Sequence, residues 1–241
     1  ELTFLIGESG SGKTTLGRAL LRLVDVADGE IRFDGQDITG RPAHDVAGLG
    51  IARTFQNIEL FDHSSVLQNL LIGRHCRRDT RWFEELLFLP KVRRSEREHR
   101  RQVEEVIDFL DLAAYRDKLI AGLPYGVRKV VEIARALSSE PKLILLDEPA
   151  SGLSVEETQN KAWWIEDMQK DLGLTVLMVE HDMSLVSRVS DRVLAVAEGR
   201  PLAMGTAALG AQLALAQYSQ GDELEADHYG IAYMKRAGYD P

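Results

Sequence analysis

Residues 2–24 read LTFLIGESGSGKTTLGRALLRLV. An apolar run, Leu2 to Ile6, gives way to a glycine-rich turn, after which Leu16, Ala19, Leu20 and Leu23 recur at helical spacing. Gly7, Gly12, Lys13 and Thr14 fit the pattern G-x-x-x-x-G-K-S/T between that strand and that helix. In such a unit the glycines let backbone N–H groups wrap phosphates, the lysine reaches the β and γ oxygens, and the hydroxyl holds Mg2+. The candidate nucleotide contacts are therefore Gly7, Glu8, Ser9, Gly10, Ser11, Gly12, Lys13, Thr14 and Thr15, with ATP and Mg2+ as the cofactors they imply. The glycines at 7, 10 and 12 do not match G-x-G-x-x-G, so hydride chemistry loses its main support.

A phosphate loop needs an acidic partner at the end of another buried strand. PKLILLDEP, residues 141–149, supplies one: Leu143 to Leu146 form the continuous apolar run of a strand covered on both faces, ending in Asp147 and Glu148. Asp147 is expected in the Mg2+ shell and Glu148 where an attacking water must lose its proton. Two further polar residues follow extended segments. Gln56 in GIARTFQNIELF can ligate Mg2+ or orient water, and His181, just past Thr175 to Val179, can contact a γ-phosphate. The candidate metal ligands are thus Thr14, Gln56 and Asp147, and the candidate catalytic residues Glu148, His181, Gln56 and Lys13. In GLPYGVRKVVEIARAL, residues 122–137, Gly126 stands where a helix begins. Helix N-termini offer unpaired N–H groups and a partial positive charge that suit an anion.

Bulk properties narrow the class. The 241 residues suffice for one large core or a core with a small subdomain. Apolar residues make up 44% and charged ones 28%, and no segment approaches the roughly 20 apolar residues of a membrane span. A formal charge of −9 argues against non-specific nucleic-acid binding. The single cysteine, Cys76, excludes an internal disulfide and a thiolate metal cage. The chain enters directly on its apolar strand without a starting methionine or a signal peptide, which reads as a chain that has lost its beginning.

The order phosphate loop, Gln56, Gly126 helix start, Asp147-Glu148 and His181 resembles the ATP-binding-cassette (ABC) family over about residues 1–205. That resemblance implies an α/β fold: a P-loop NTPase (RecA-like) core with a mostly parallel sheet, a helical insertion subdomain and a truncated N-terminal antiparallel β part. The core is expected at 1–61 and 138–205, and the helical subdomain at 62–137. LPYGV occupies the place of the family's signature, usually LSGGQ, which binds the γ-phosphate held by a second subunit. Tyr125, Gly126 and Val127 thereby join the nucleotide contacts. Gly126 keeps the second signature glycine, whereas Pro124 replaces the serine, Tyr125 the first glycine and Val127 the glutamine, so affinity across the pair is expected to be lower. Ser154 stands where the family's D-loop commonly has aspartate.

Tyrosine before that glycine, with GIARTFQNIELF, EIARAL and VEHDMSLVSRVSDRV, is similar to branched-chain amino acid importer ATPases, while the first forty residues are more similar to oligopeptide-importer ATPases. The implied activity is ATP hydrolysis powering amino acid uptake. The implied partners are a second ATP-binding subunit, identical or different, and an integral-membrane permease, with no nucleic acid. The implied location is cytoplasmic, at the inner face of the membrane. An alternative is an ABC ATPase outside transport, or an inactive chimeric fragment. The family normally carries strands and an adenine-stacking aromatic ahead of the P-loop strand. Their loss here implies a bared sheet edge and a binding deficit of about 1–3 kcal/mol, the worth of one stacked base.

Three other segments carry expectations. GEIRFDGQDI and DRVLAVAEGRPLAMG read as hairpins turning at Asp34-Gly35 and Glu198-Gly199. Val103, Val106, Ile107 and Leu110 form one apolar helical face, and the basic run KVRRSEREHRRQ reads as the solvated face of that helix, with a partner or anionic lipid as the sharper alternative. Residues 206–241 resemble the downstream segment of HExxH zinc metallopeptidases, with Glu223 and Asp227 matching E-x-x-x-D. No HExxH occurs in the chain, so a zinc hydrolase is disfavoured and an uncertain helical tail is expected.

Overall fold

The apolar runs become strands and the amphipathic ones helices. In the computed structural model the strands are β1 (Leu2–Ile6), β2 (Arg32–Phe33), β3 (Gln36–Asp37), β4 (Ile51–Arg53), β5 (Leu143–Asp147), β6 (Thr175–Val179), β7 (Arg192–Ala197) and β8 (Arg200–Thr206). The helices are α1 (Lys13–Leu20), α2 (Ala43–Leu49), α3 (Val66–Gly73), α4 (Trp82–Leu86), α5 (Pro90–Phe109) and α6 (Tyr125–Leu137), and residues 164–170 are also helical. The structure describes residues 2–6, 10–54, 58–78, 80, 82–87, 89–149, 164–180, 191–197 and 200–206.

The main sheet runs in the order β4-β5-β6-β1-β7-β8, with every pairing parallel except that of β7 with β8. This is an α/β fold of the P-loop NTPase kind. Strand alternation splits the apolar residues between two faces. Leu2, Phe4, Ile6, Ile144, Leu146, Val176 and Met178 meet Leu70, Ile107 and Val131 of the helices in one cluster. Leu145 joins Ile38, Val46 and Ile51, and Leu5 joins Val179 and Val196, in two smaller clusters. Each fully buried Leu, Ile or Phe of these clusters contributes about 1.5–3 kcal/mol. The sheet's outer strands are β4 and β8, and β1 is paired on both sides.

Both expected hairpins form strand pairs. Asp34 (φ 51°) and Gly35 (φ 75°) make the left-handed turn that a two-residue hairpin requires between β2 and β3. Ala197 pairs with Arg200 across β7 and β8, and the turn residues Glu198 and Gly199 lie outside the described residues. The helix after the phosphate loop differs from its apolar pattern. α1 closes at Leu20, and Leu16 and Leu23 stay 40% and 50% exposed. α1 instead buries Lys13 and Gly17, with Gly17 facing Leu145 of β5, and packs Leu20 against the cluster of Leu145, Ile38, Val46 and Ile51.

The long helix α5 buries Val92, Val103 and Ile107, with Leu110 covered just beyond it, while its basic residues face solvent. Arg101 bridges Glu98 at 2.6 Å and Glu105 at 2.5 Å. Hydrogen bonds from Arg101 and Gln102 hold the Glu98 carboxyl down to about 2. α3 opens on a capping box in which Ser65 and Gln68 satisfy each other's backbone N–H groups. It ends at Gly73, where a Cβ would sit 2.3 Å from the Arg135 carbonyl oxygen of α6. Gly73→Ala must therefore push α3 off α6, lowering the unfolding free energy by about 1–3 kcal/mol in urea titrations. An unchanged midpoint would show that the two helices do not meet there.

Candidate nucleotide-binding site

Parallel strands in one sheet end on the same side, and ligands of open α/β sheets bind off those ends. Here the register brings three strand ends level, because Val179 stands opposite both Leu5 of β1 and Asp147 of β5. Arg53 ends β4 opposite Leu145, two residues short of Asp147 on the same neighbour. After β1 the chain crosses to α1 through Gly10 (φ 83°) and Gly12 (φ 96°), left-handed positions that suit glycine, and Gly12 caps the helix. Lys13 is buried, and its Nζ donates to Ser11 Oγ at 3.3 Å.

Lys13 and Thr14 line one small cavity together with Arg53 and Asp147. The Asp147 carboxylate accepts from Arg53 Nη2, with Oδ2 at 2.5 Å, and both side chains are 8% exposed. The Asp147 backbone N–H donates to Thr54 Oγ1 at 3.3 Å, and the Thr54 N–H donates to the Leu145 carbonyl at 2.9 Å. Two contacts from the end of β4 thus hold the carboxylate in place. Glu148 follows at φ 46°, a left-handed conformation that costs a non-glycine residue free energy, and its N–H is pinned to the Val179 carbonyl at 2.9 Å. That bend takes Glu148 out of the strand direction.

The donor set suits Mg2+. A hydroxyl at Thr14 and a carboxylate at Asp147 are hard oxygen ligands, and they line one cavity together with Lys13. Triphosphate would lie along the N-terminus of α1, where Gly10 and Gly12 leave the backbone open to it.

Of the residues singled out in the sequence, Lys13, Thr14 and Asp147 line this cavity, while Gly10, Ser11, Gly12, Thr15 and Glu148 adjoin them along the chain without lining it. Gly7, Glu8, Ser9, Gln56, Ser154, His181 and residues 207–241, with Glu223 and Asp227, lie outside the described residues. Tyr125, Gly126 and Val127 are not brought to the cavity: none of them lines it. They form the first turn of α6, with Pro124 as its N-cap residue and no side-chain hydrogen bond to the cap. Tyr125 is 48% exposed. This corner faces outward on its own subunit, tied to the segment after β4 by an ion pair between Arg128 and Asp62 at 2.9 Å.

Arg53 and Thr54 were not among the residues singled out. The usable signal was a lone arginine inside the apolar GIARTF run, because a guanidinium buried there needs a carboxylate, and the apolar run ending in Asp147 offers one.

Comparison with known proteins agrees with this geometry. The family model described as ABC transporter matches residues 1–151. The high-affinity branched-chain amino acid transport ATP-binding protein BraF of Pseudomonas aeruginosa is 36% identical over 206 residues, covering 86% of this chain and 81% of BraF. LivG of Escherichia coli K12, a protein of the same description, is 35% identical over 206 residues with the same coverages, 86% and 81%. Among solved structures, a nucleotide-free ATP-binding cassette from an ABC transporter superposes with a TM-score of 0.75 at 28% identity, covering 90% of this chain and 84% of the cassette.

Asp147→Asn leaves Arg53 buried without its counter-charge. The expected loss is about 3–5 kcal/mol in unfolding free energy without nucleotide, measured by chemical denaturation. A loss within the range of ordinary surface substitutions would contradict the burial of the pair.

Proposed function

The chain belongs to the ABC transporter family, and from that premise we propose that it is the ATP-hydrolysing subunit of an importer, working as a pair beneath a permease that carries amino acids of the branched-chain type. The observation that carries the reading is the meeting of Lys13, Thr14 and Asp147 at the carboxyl end of a parallel sheet. The names of BraF and LivG support the solute class.

In this reading the backbone around Gly10 and Gly12 and the Lys13 ammonium bind the β- and γ-phosphates. Thr14 and Asp147, with Gln56, would hold Mg2+, which offsets phosphate charge when bound. Glu148 takes a proton from water as its oxygen attacks the γ-phosphorus; the bond to the β-phosphate oxygen breaks, and ADP and phosphate leave. His181 orients the γ-phosphate.

The γ-phosphate also needs a second donor group, and the outward-facing first turn of α6 on another copy offers one. Gly126 admits close backbone approach, and Tyr125 and Val127 flank it. Without the serine hydroxyl, the contact relies on main-chain N–H groups and the helix dipole.

The permease is proposed to dock where Phe61 lies exposed. That segment is held by the buried Asn69, whose side chain donates to the carbonyls of Phe61 and Ser65 and accepts from the Phe61 N–H. Arg135 of α6 donates to the Glu59 carbonyl at 2.5 Å, so a push on this segment reaches the helix that covers the partner's nucleotide. No described helix is long and apolar enough to cross a membrane, and the proposed place of the chain is on the cytoplasmic side, against the permease.

Glu148→Gln tests the reading. Steady-state ATP turnover should fall by about 10²–10⁴-fold, while ATP-dependent dimers persist in light scattering. Equal turnover in variant and parent would remove Glu148 from the mechanism.

A further inference from the structure

The Asp147 carboxylate, expected to face the metal, is already engaged: Arg53 Nη2 lies 2.5 Å from Oδ2, both side chains are almost wholly buried, and the same cavity is lined by Lys13 and Thr14. Two cations at one desolvated carboxylate repel each other strongly, because little water intervenes to screen them. One of them must therefore yield. The carboxylate is the fixed member, since the Asp147 backbone is locked by its pairing to Val179 and by the Thr54 hydroxyl. The guanidinium is the movable one, carried on a long side chain at the end of β4, a three-residue outer strand of the sheet.

We propose that Arg53 is the resident counter-cation of Asp147, which holds the carboxylate in place in the nucleotide-free protein and competes with Mg2+ for it when nucleotide binds. Arg53 is a positioning residue in this scheme, and it sets how much Mg2+ the site requires. The inference rests on the ATP-binding reading above.

The test is equilibrium binding of a fluorescent, non-hydrolysable ATP analogue to the full chain, titrated with Mg2+, in the parent, Arg53→Gln and Arg53→Lys. In Arg53→Gln the Mg2+ concentration at half-saturation should fall about tenfold, because the competing charge is gone. Its melting temperature without ligand should lie below that of the parent, and the gap should narrow when Mg2+ and the analogue are present. Arg53→Lys keeps a charge but loses the planar fork, so it should shift the Mg2+ requirement in the same direction by less. If Arg53→Gln does not fold without ligand, the lysine variant carries the test alone. An unchanged or increased Mg2+ requirement in either folded variant overturns the proposal. A parent that binds the analogue without any dependence on Mg2+, or does not bind it, overturns the ATP-binding reading first and the role of Arg53 with it.

Discussion

Every feature of the site depends on the parallel alignment of β1, β5 and β6. Hydrogen bonds between parallel strands fix their relative slide, and a slip of one residue would turn each buried side chain to the opposite face. With Val179 level with both Leu5 and Asp147, the loop that leaves β1 and the carboxylate that ends β5 are delivered to one place. The apolar residues on the two faces hold that register: Phe4, Ile144 and Met178 on one side, Leu5 and Leu145 on the other. The core is thus what gives Lys13 and Asp147 their geometry.

Onto this frame the chain places groups that oppose stability. Asp147 and Arg53 are buried charges whose desolvation offsets much of their attraction, and Glu148 holds a left-handed backbone that glycine would adopt more easily. Such features persist where surrounding structure over-determines them. Here the determinants are local, namely the Thr54 hydroxyl under the Asp147 N–H and the Val179 carbonyl over that of Glu148. The signature corner makes a different compromise. Its helix start carries no capping side chain, and Tyr125 is left half exposed, which leaves its N–H groups open to an anion from outside the subunit.

What the sequence revealed follows from how local each signal is. The phosphate loop is one contiguous segment whose residue types and spacing carry their own chemistry, and the strand before Asp147 is read from a run of four apolar residues, so the sheet's centre and the site's main groups were legible. The hairpin at Asp34-Gly35 was legible for the same reason. Arg53 was not, because its meaning lies in a partner 94 residues away across a strand pairing that no local pattern encodes. The packing of α1 differs from its spacing because Leu16 stays 40% exposed, while the buried face of the helix runs through Lys13 and Gly17, which apolar periodicity does not count.

The central claim is that one triphosphate is held between two copies, cradled by the Lys13 loop of the first and covered by the Tyr125 helix of the second. The most direct measurement is a crystal structure of the full chain carrying Glu148→Gln, grown with ATP and Mg2+. The account predicts two copies head to tail, with main-chain N–H groups at Gly126 of one copy within hydrogen-bond distance of the γ-phosphate bound by the other. A triphosphate closed over by its own subunit, with the Tyr125–Gly126 corner facing neither copy's nucleotide, would contradict it.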